Sequence, residues 1–529
     1  MTVPKGKPTV HRRKRFPWLA LAGAALFACG FAVANRFQLT NGVLYRWAAH
    51  DVTHAVSNFA LLAVQAAALL GAIVLLGRRL FTLAMALAFV SILVNLSYGQ
   101  TTRAPIDIGT IAWMAAETRQ AGNVAGEFAT PLLLAGAQAA AAIALFVAAR
   151  AVLLRRRMTT RSPRLASAWG LLVLLAPSLL AIPLGIPANA AERNVYSLGF
   201  ELAEADPPPP RAAVELVPQV AGTPRHIVWL VDESVAYAEF ERLIAPRLAP
   251  YHPVDFGMAA SLANCSAPSN LALRSGVEVR RAGPRTDLRR TPSIWGYARK
   301  AGYRTMMIDG QTSGAPQNFL LPPERALIDE IDSAAGGIDT DVKIAGRLNR
   351  QLRSPERTFT YVVLRGVHFQ YKDHFPAGMI PAGSPEIVQY RTALGFSKGR
   401  FFDRLLDGVD RSQVAVVYHS DHGQNLTPGK LPHCSADRAP AEYEIPLLAF
   451  LPDALRVRYA TAPTSGHSAS QVFPTLLEWM GYDSAAVQRR YDNDLTGEPA
   501  RYVRFGRDAF PLKAGDSADV TASGKFPGA

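Results

Sequence analysis

Cysteine is scarce and repetition is missing in this 529-residue chain. Its three cysteines are too few for the dense disulfide frameworks of small secreted domains. No repeat of solenoid length is present, nor any long low-complexity tract. Acidic residues are the minority, 42 Asp and Glu against 56 Lys and Arg, for a net charge of +14. Such an excess can serve nucleic acid, but many of these charges sit in short clusters beside apolar stretches, which is a membrane-topology pattern. No nucleic-acid partner is expected.

Apolar residues make up 49% of the chain and are concentrated in its first third, so two unlike halves are expected. Five stretches approach the roughly 17 to 25 mainly apolar residues that a spanning helix needs: Phe16 to Ala34, Val56 to Gly77, Leu80 to Tyr98, Pro131 to Leu154 and Ala166 to Ile186. Asn95 and Ser97 weaken the end of the third, and the second and third also read as one hairpin around Arg78-Arg79. The basic run His11 to Arg15, the Arg78-Arg79 pair and the cluster Arg155 to Arg157 share one side if the spans alternate. The positive-inside rule makes that side cytoplasmic, and an odd number of crossings delivers everything after about Ile186 to the other. Ala34-Asn35-Arg36 is a poor cleavage site, which favours an uncleaved anchor over a signal peptide. Trp18, Trp47 and Trp113 suit the bilayer interfaces.

Four consecutive prolines, Pro207 to Pro210, favour an extended connector. The expected organisation is a basic tail at 1–15, a membrane domain of about five helices at 16–190, a Pro-rich linker at 191–224 and a soluble domain at 225–529. In that domain the runs His226 to Val231, Thr305 to Ile308, Thr358 to Leu364 and Val414 to Tyr418 read as buried strands. Thr291 to Ala301, Asp341 to Leu352, Ile387 to Leu406 and Gln471 to Met480 carry helical spacing. Alternation of the two predicts an α/β layer fold with a mainly parallel sheet.

Chemistry in such sheets collects beyond the carboxyl ends of the strands. There stand Asp232-Glu233-Ser234 and His419-Ser420-Asp421-His422-Gly423. Carboxylate oxygens with an imidazole nitrogen suit Zn²⁺ or Mn²⁺, although a capped loop would also account for Asp421-His422. Asp232 reads equally as a further ligand or as a turn cap. In Asn264-Cys265-Ser266-Ala267-Pro268-Ser269-Asn270, Ser266 would sit at a helix start, where free backbone amides favour phosphate or sulfate. A divalent metal can activate such a hydroxyl; a plain N-cap is the alternative.

Ser266 to Gly276 resembles the sulfatase signature, with Ser266 at the modified or nucleophilic position. Trp229 to Ser234 resembles the strand and Gly-Glu-Ser segment of phosphoethanolamine transferases, whose glutamate binds metal. Ser420-Asp421-His422-Gly423 resembles their Ser-Asp-His-Gly. Gly366 to Pro376, with His368 and Tyr371, is similar to a further family segment, as are His433 before Ala441 to Leu448 and Ser465-Gly466-His467 before Val472 to Leu477. The resemblance, to the phosphoethanolamine and phosphoglycerol transferases of the alkaline phosphatase superfamily, covers nearly the entire chain. It implies a multi-pass protein of the bacterial inner membrane with a periplasmic sulfatase-like α/β/α domain. It also implies one divalent metal, zinc before manganese, held by Glu233, Ser266, Asp421 and His422. Ser266 would be the catalytic nucleophile, and His368, His433 and His467 would contact substrate. The implied reaction moves a phospho-substituent from a membrane phospholipid to an envelope glycan or lipid through phospho-Ser266.

The departures narrow this. Asn270 replaces the sulfatase arginine, and Pro268 is three residues beyond Cys265 instead of two, so a formylglycine at this site is not expected. The lipid A transferases of the family usually carry threonine at the nucleophile and several periplasmic disulfides. Here only Cys265 and Cys434 lie outside the membrane stretches. They adjoin Ser266 and His433, and either a bridge between them or two buried thiols is open. The alternative activity is a membrane-anchored sulfatase or phosphodiesterase that uses water as acceptor.

Overall fold

The computed structural model describes residues 18–48, 50, 52–102, 106, 111, 114, 129–155, 162–181, 189–204, 206–312, 318–334, 336–368, 370–435, 439–506 and 520–523. The basic run at 11–15, Trp113, Arg156, Arg157 and the end of the fifth apolar stretch lie outside them. The chain packs as two compact units, one running to Ala203 and the other from Glu204 onward.

Among the described residues of the first unit four helices are long and apolar enough to cross a membrane: Val52–Leu75, Arg78–Gln100, Ala129–Leu154 and Pro163–Leu180. Trp18–Ala34 makes a fifth candidate only together with Arg36–Ala48, from which it is bent by 79°. Small residues let these helices approach closely. A side chain at Gly30 would meet Phe146 at 3.0 Å and the Ala142 carbonyl at 3.1 Å. Trp18 and Trp47 are exposed.

The expected linker is occupied differently at its start. Residues Asn194–Ala203 form a helix, and the turn before it is clasped by polar side chains of the apolar helices. Asn35 Oδ1 accepts from the Ala191 amide at 2.7 Å, Ser91 Oγ donates to the Ala191 carbonyl at 2.6 Å, and Gln65 Oε1 accepts from the Ala190 amide at 3.1 Å. A buried backbone group must find such a partner, a need that composition does not reveal. The Pro-rich stretch has no regular structure, but Arg211 pins it to the second unit through Glu324 at 2.7 Å and the Leu288 carbonyl at 2.6 Å.

The second unit is built on an eight-stranded sheet. Its strands are β1 (His226–Asp232), β2 (Val254–Ala260), β3 (Arg304–Asp309), β4 (Glu330–Ser333), β5 (Thr358–Val363), β6 (Val414–Ser420), β7 (Glu444–Phe450) and β8 (His467–Ser468), in the order β4-β3-β5-β1-β6-β7-β2-β8. The first five in that order run parallel, and β7 runs antiparallel to both β6 and β2. β9 (Tyr502–Phe505) and β10 (Val520–Ser523) form a separate antiparallel pair. β1, β5 and β6 are buried along their whole length, which explains their unbroken apolar runs. Apolar clusters on the two faces hold helices such as Ile294–Lys300 and Val472–Trp479 on one side and Thr340–Gln351 and Glu386–Leu406 on the other.

Candidate functional site

Register brings the first two acidic groups together. β1 and β6 are parallel neighbours with Asp232 opposite Ser420, so the next residues, Glu233 and Asp421, leave the sheet side by side. The Asp421 amide donates to the Asp232 carbonyl at 2.8 Å, and Ser234 turns the chain at a φ of 60°. Ser266 opens the helix Ser266–Ser275, and the preceding Cys265 is extended and supplies no side-chain cap. The helix start is fastened to β6 by Ser269 Oγ, which donates to the Asp421 carbonyl at 2.5 Å. Asn270, at the place of the sulfatase arginine, donates to the Ser266 carbonyl at 3.0 Å and accepts from the Tyr361 hydroxyl at 2.7 Å.

Ser266 Oγ lies 3.0 and 3.1 Å from the two Glu233 oxygens and 3.2 Å from His422 Nε2. Glu233, Asp421 and His422 are buried and offer one ligand atom each within 4.8 Å of one another. His422 Nδ1 donates to the Gly423 carbonyl at 2.8 Å, which aims Nε2 at the cluster, where a metal would take the place of its proton. Asp421 Oδ1 accepts from the amides of Ser234 and His422 at 3.3 and 2.8 Å. Its Oδ2 is buried and has no hydrogen-bond partner among the described residues. An orphaned carboxylate oxygen is costly, and a cation there would satisfy it. The donor set therefore fits a divalent metal.

The electrostatics show three groups contending for protons. Burial pushes Asp421 well above the ordinary carboxylate range, and the charge of Glu233 reinforces it. Burial also opposes ionisation of Glu233, but the hydrogen bond and charge of His422 outweigh it and hold this carboxyl below its usual range. Burial disfavours a charged His422, yet the carboxylates of Asp421 and Glu233 prevail and raise its pKa to about 9.

Two further histidines reach this cluster. The His433 ring lies 4.7 Å from that of His422 and 5.2 Å from that of His368, centroid to centroid. Burial, followed by the His422 and His368 rings, pushes His433 well below the ordinary imidazole value. His467 is placed elsewhere. It sits on β8 with Nδ1 at 3.2 Å from Gln471 Oε1, Nε2 at 2.8 Å from the Pro463 carbonyl, and its ring edge-on to Phe256. With both nitrogens engaged inside the protein, it has the surroundings of a core histidine, contrary to the expected substrate contact.

Cys265 and Cys434 form a disulfide. Asp232 is no part of the ligand group: Lys398 Nζ and the Tyr418 hydroxyl take its two oxygens at 2.8 and 2.6 Å. Sequence reasoning missed Gln311, whose Nε2 donates to Glu233 Oε2 at 2.6 Å. It follows β3 by two residues, so the strand-end rule that singled out Glu233 and Asp421 also pointed there.

Residues 247–482 match the family model described as Sulfatase. That match begins after β1, so the case for Glu233 is geometric. No curated protein matches the chain significantly. Among solved structures, the integral membrane protein lipooligosaccharide phosphoethanolamine transferase A of Neisseria meningitidis is similar with a TM-score of 0.57 and 12% identity, over 88% of this chain and 96% of that one. The periplasmic domain of EptC from Escherichia coli, solved in complex with Zn, is similar at 0.47 and 17%, over 59% and 96%. A protein of the alkaline phosphatase superfamily from Vibrio parahaemolyticus gives 0.39 and 18%, over 55% and 75%. Residues 247–482 thus match the Sulfatase family model, on a fold that the meningococcal membrane transferase shares.

Proposed function

We propose that this protein transfers a phospho-substituent, phosphoethanolamine or phosphoglycerol, from a membrane phospholipid to an envelope glycan or lipid through a phospho-Ser266 intermediate. The observation that carries the reading is the convergence of Ser266 Oγ with Glu233, Asp421 and His422 at the meeting of two strand ends and a helix N-terminus. These four residues would hold a divalent cation, with zinc suited to the oxygen and nitrogen donors. Bound there, it would lower the pKa of the hydroxyl and stabilise charge on the phosphoryl oxygens.

The remaining roles fall to the chain itself. Ser266 Oγ attacks phosphorus, and an Oγ–P bond forms as the P–O bond to diacylglycerol breaks. The serine proton leaves to a base, and the departing diacylglycerol oxygen takes one up. His433 suits this exchange. Its Nδ1 donates to Gln424 Oε1 at 3.2 Å, and Gln424 is oriented by its own bond to the Tyr371 hydroxyl at 2.7 Å. His433 Nε2 then keeps its lone pair, and a depressed pKa keeps the ring neutral, with that nitrogen open to a proton. His368, beside it, is a further phosphate contact. In the second half, an acceptor hydroxyl gives up its proton and attacks the same phosphorus, and Ser266 Oγ leaves and is reprotonated.

On this reading residues 16–190 anchor the enzyme in the bacterial inner membrane, 1–15 are cytoplasmic, 191–224 connect, and 225–529 work in the periplasm, where a bilayer-confined donor is accessible. The test is turnover of a headgroup-labelled phospholipid by purified wild type and Ser266→Ala. The variant should remain folded and form neither product nor labelled protein; wild-type turnover by Ser266→Ala would reject the role. Multiple turnovers without any acceptor would instead favour the hydrolase reading.

A further inference from the structure

Behind Glu233 lies a buried charge cluster that the proposed chemistry does not use. Lys398, from the helix Glu386–Leu406, is fully buried and donates at 2.8 Å both to Asp232 Oδ1 and to Asp341 Oδ2. Asp232 Oδ1 also accepts from the Glu233 amide at 2.9 Å, and the Asp232 carbonyl accepts from the Asp421 amide at 2.8 Å. The residue that Lys398 grips is therefore bonded to the backbone of both candidate ligands.

The second arm reaches Glu233 from another direction. Asp341 Oδ1 accepts from the Arg365 amide at 2.8 Å and Oδ2 from the Gly366 amide at 3.2 Å, with Ser397 Oγ adding a bond at 2.9 Å. Gly366 has a φ of +63°, and a Cβ there would come within 2.4 to 2.7 Å of Glu233 atoms. The Val367 amide donates to the Glu233 carbonyl at 3.2 Å. This loop thus lies flush against the glutamate, and Asp341 fixes the loop.

We propose that Lys398 is a positioning residue, which through Asp232 and Asp341 holds Glu233 and Asp421 in the geometry that binds the cation, without touching cation or substrate itself. The inference rests on the metal-site reading above. A purely structural role is the competing account, because removing one partner of a buried ion cluster is destabilising in itself.

The experiment uses the full chain in detergent with Zn²⁺ as the probe, reading zinc affinity by competition with a chromogenic chelator alongside thermal unfolding and turnover. Lys398→Met, measured well below its unfolding temperature, should lose about tenfold or more in zinc affinity, as outer-shell partners of metal ligands do, with kcat falling and KM little changed. The double variant Asp232→Asn/Lys398→Met removes one unpaired charge, keeps the test open if the single variant fails to fold, and should still bind zinc weakly. Folded protein of either variant with wild-type zinc affinity overturns the positioning role and leaves the site reading intact. A wild type that binds no zinc overturns both.

Discussion

The disulfide between Cys265 and Cys434 spans 169 residues of sequence and ties the residue before Ser266 to the residue after His433. Around it the two loops are stitched together: the Cys434 amide donates to the Asn264 carbonyl at 2.7 Å, and Asn264 Nδ2 donates to Glu442 Oε2 at 2.6 Å. Cys434 itself is held at a φ of 54°. The bridge therefore sets how the His433 ring stands over His422. Cys265→Ser/Cys434→Ser should be destabilised by about 2–5 kcal/mol, the usual cost of removing a native disulfide, and should lose kcat beyond what its unfolded fraction explains. Thermal unfolding and turnover of the same preparation check both parts.

The two histidines placed differently should separate in kinetics. His433 has a lone pair at Nε2 beside the cluster, so His433→Ala should lower kcat by roughly 10²–10⁴, the range for a lost general acid or base. His467 has both ring nitrogens facing protein oxygens, those of Gln471 and Pro463, and packs on Phe256. His467→Ala should lower the unfolding temperature and leave kcat of the folded fraction within a few-fold. A large kcat loss in His467→Ala without destabilisation would restore it to the reaction.

Much of this site is legible in the sequence because it hangs on strand ends. Glu233 and Asp421 follow apolar runs that can be read directly, and parallel neighbours expose their carboxyl ends together. The ends of Thr358–Val363 and Val414–Ser420 fall within two residues of expectation for the same reason. What stays hidden lacks a local signature. β2 carries Asp255 and Gly257 and is bulged between Asp255 and Met258, so it shows no clean alternation. Lys398 lies in a helix whose charge pattern looks solvated, and only tertiary packing turns it inward. His467 is singled out by motif alone, which gives order along the chain and not which cavity a ring enters.

Metal dependence is predicted from Asp421 Oδ2, which has no hydrogen-bond partner among the described residues and only His422 Nε2, at 3.8 Å, as an ionic neighbour. Dialysis against a strong chelator should abolish turnover, and zinc should restore it. Asp421→Asn keeps an oxygen for the amides of Ser234 and His422 but places an NH₂ where the free oxygen stood. It should stay folded, bind zinc at least tenfold more weakly, in line with the effect of disturbing a metal site, and resist rescue at the zinc level that saves wild type. Full activity in chelator-treated protein that contains no metal by elemental analysis would remove the cation from the mechanism.

Glu478 supplies a pH-dependent component of stability away from the site. Its side chain is 1% exposed. Burial, and then the charge of Asp494, push its pKa up to about 7, with Arg458 and Ser484 only partly offsetting them. The folded protein thus binds this proton more tightly than the unfolded chain, whose carboxyl titrates near the ordinary 4.5. By linkage, the contribution is fully present below about pH 4.5, declines as pH rises toward 7, and is flat beyond it. Glu478→Gln mimics the protonated state at every pH and lacks that decline. The unfolding temperature of Glu478→Gln minus that of wild type should therefore grow between about pH 5 and 7 and then level off. Parallel profiles for the two proteins across that window would show that Glu478 is already ionised in the folded state.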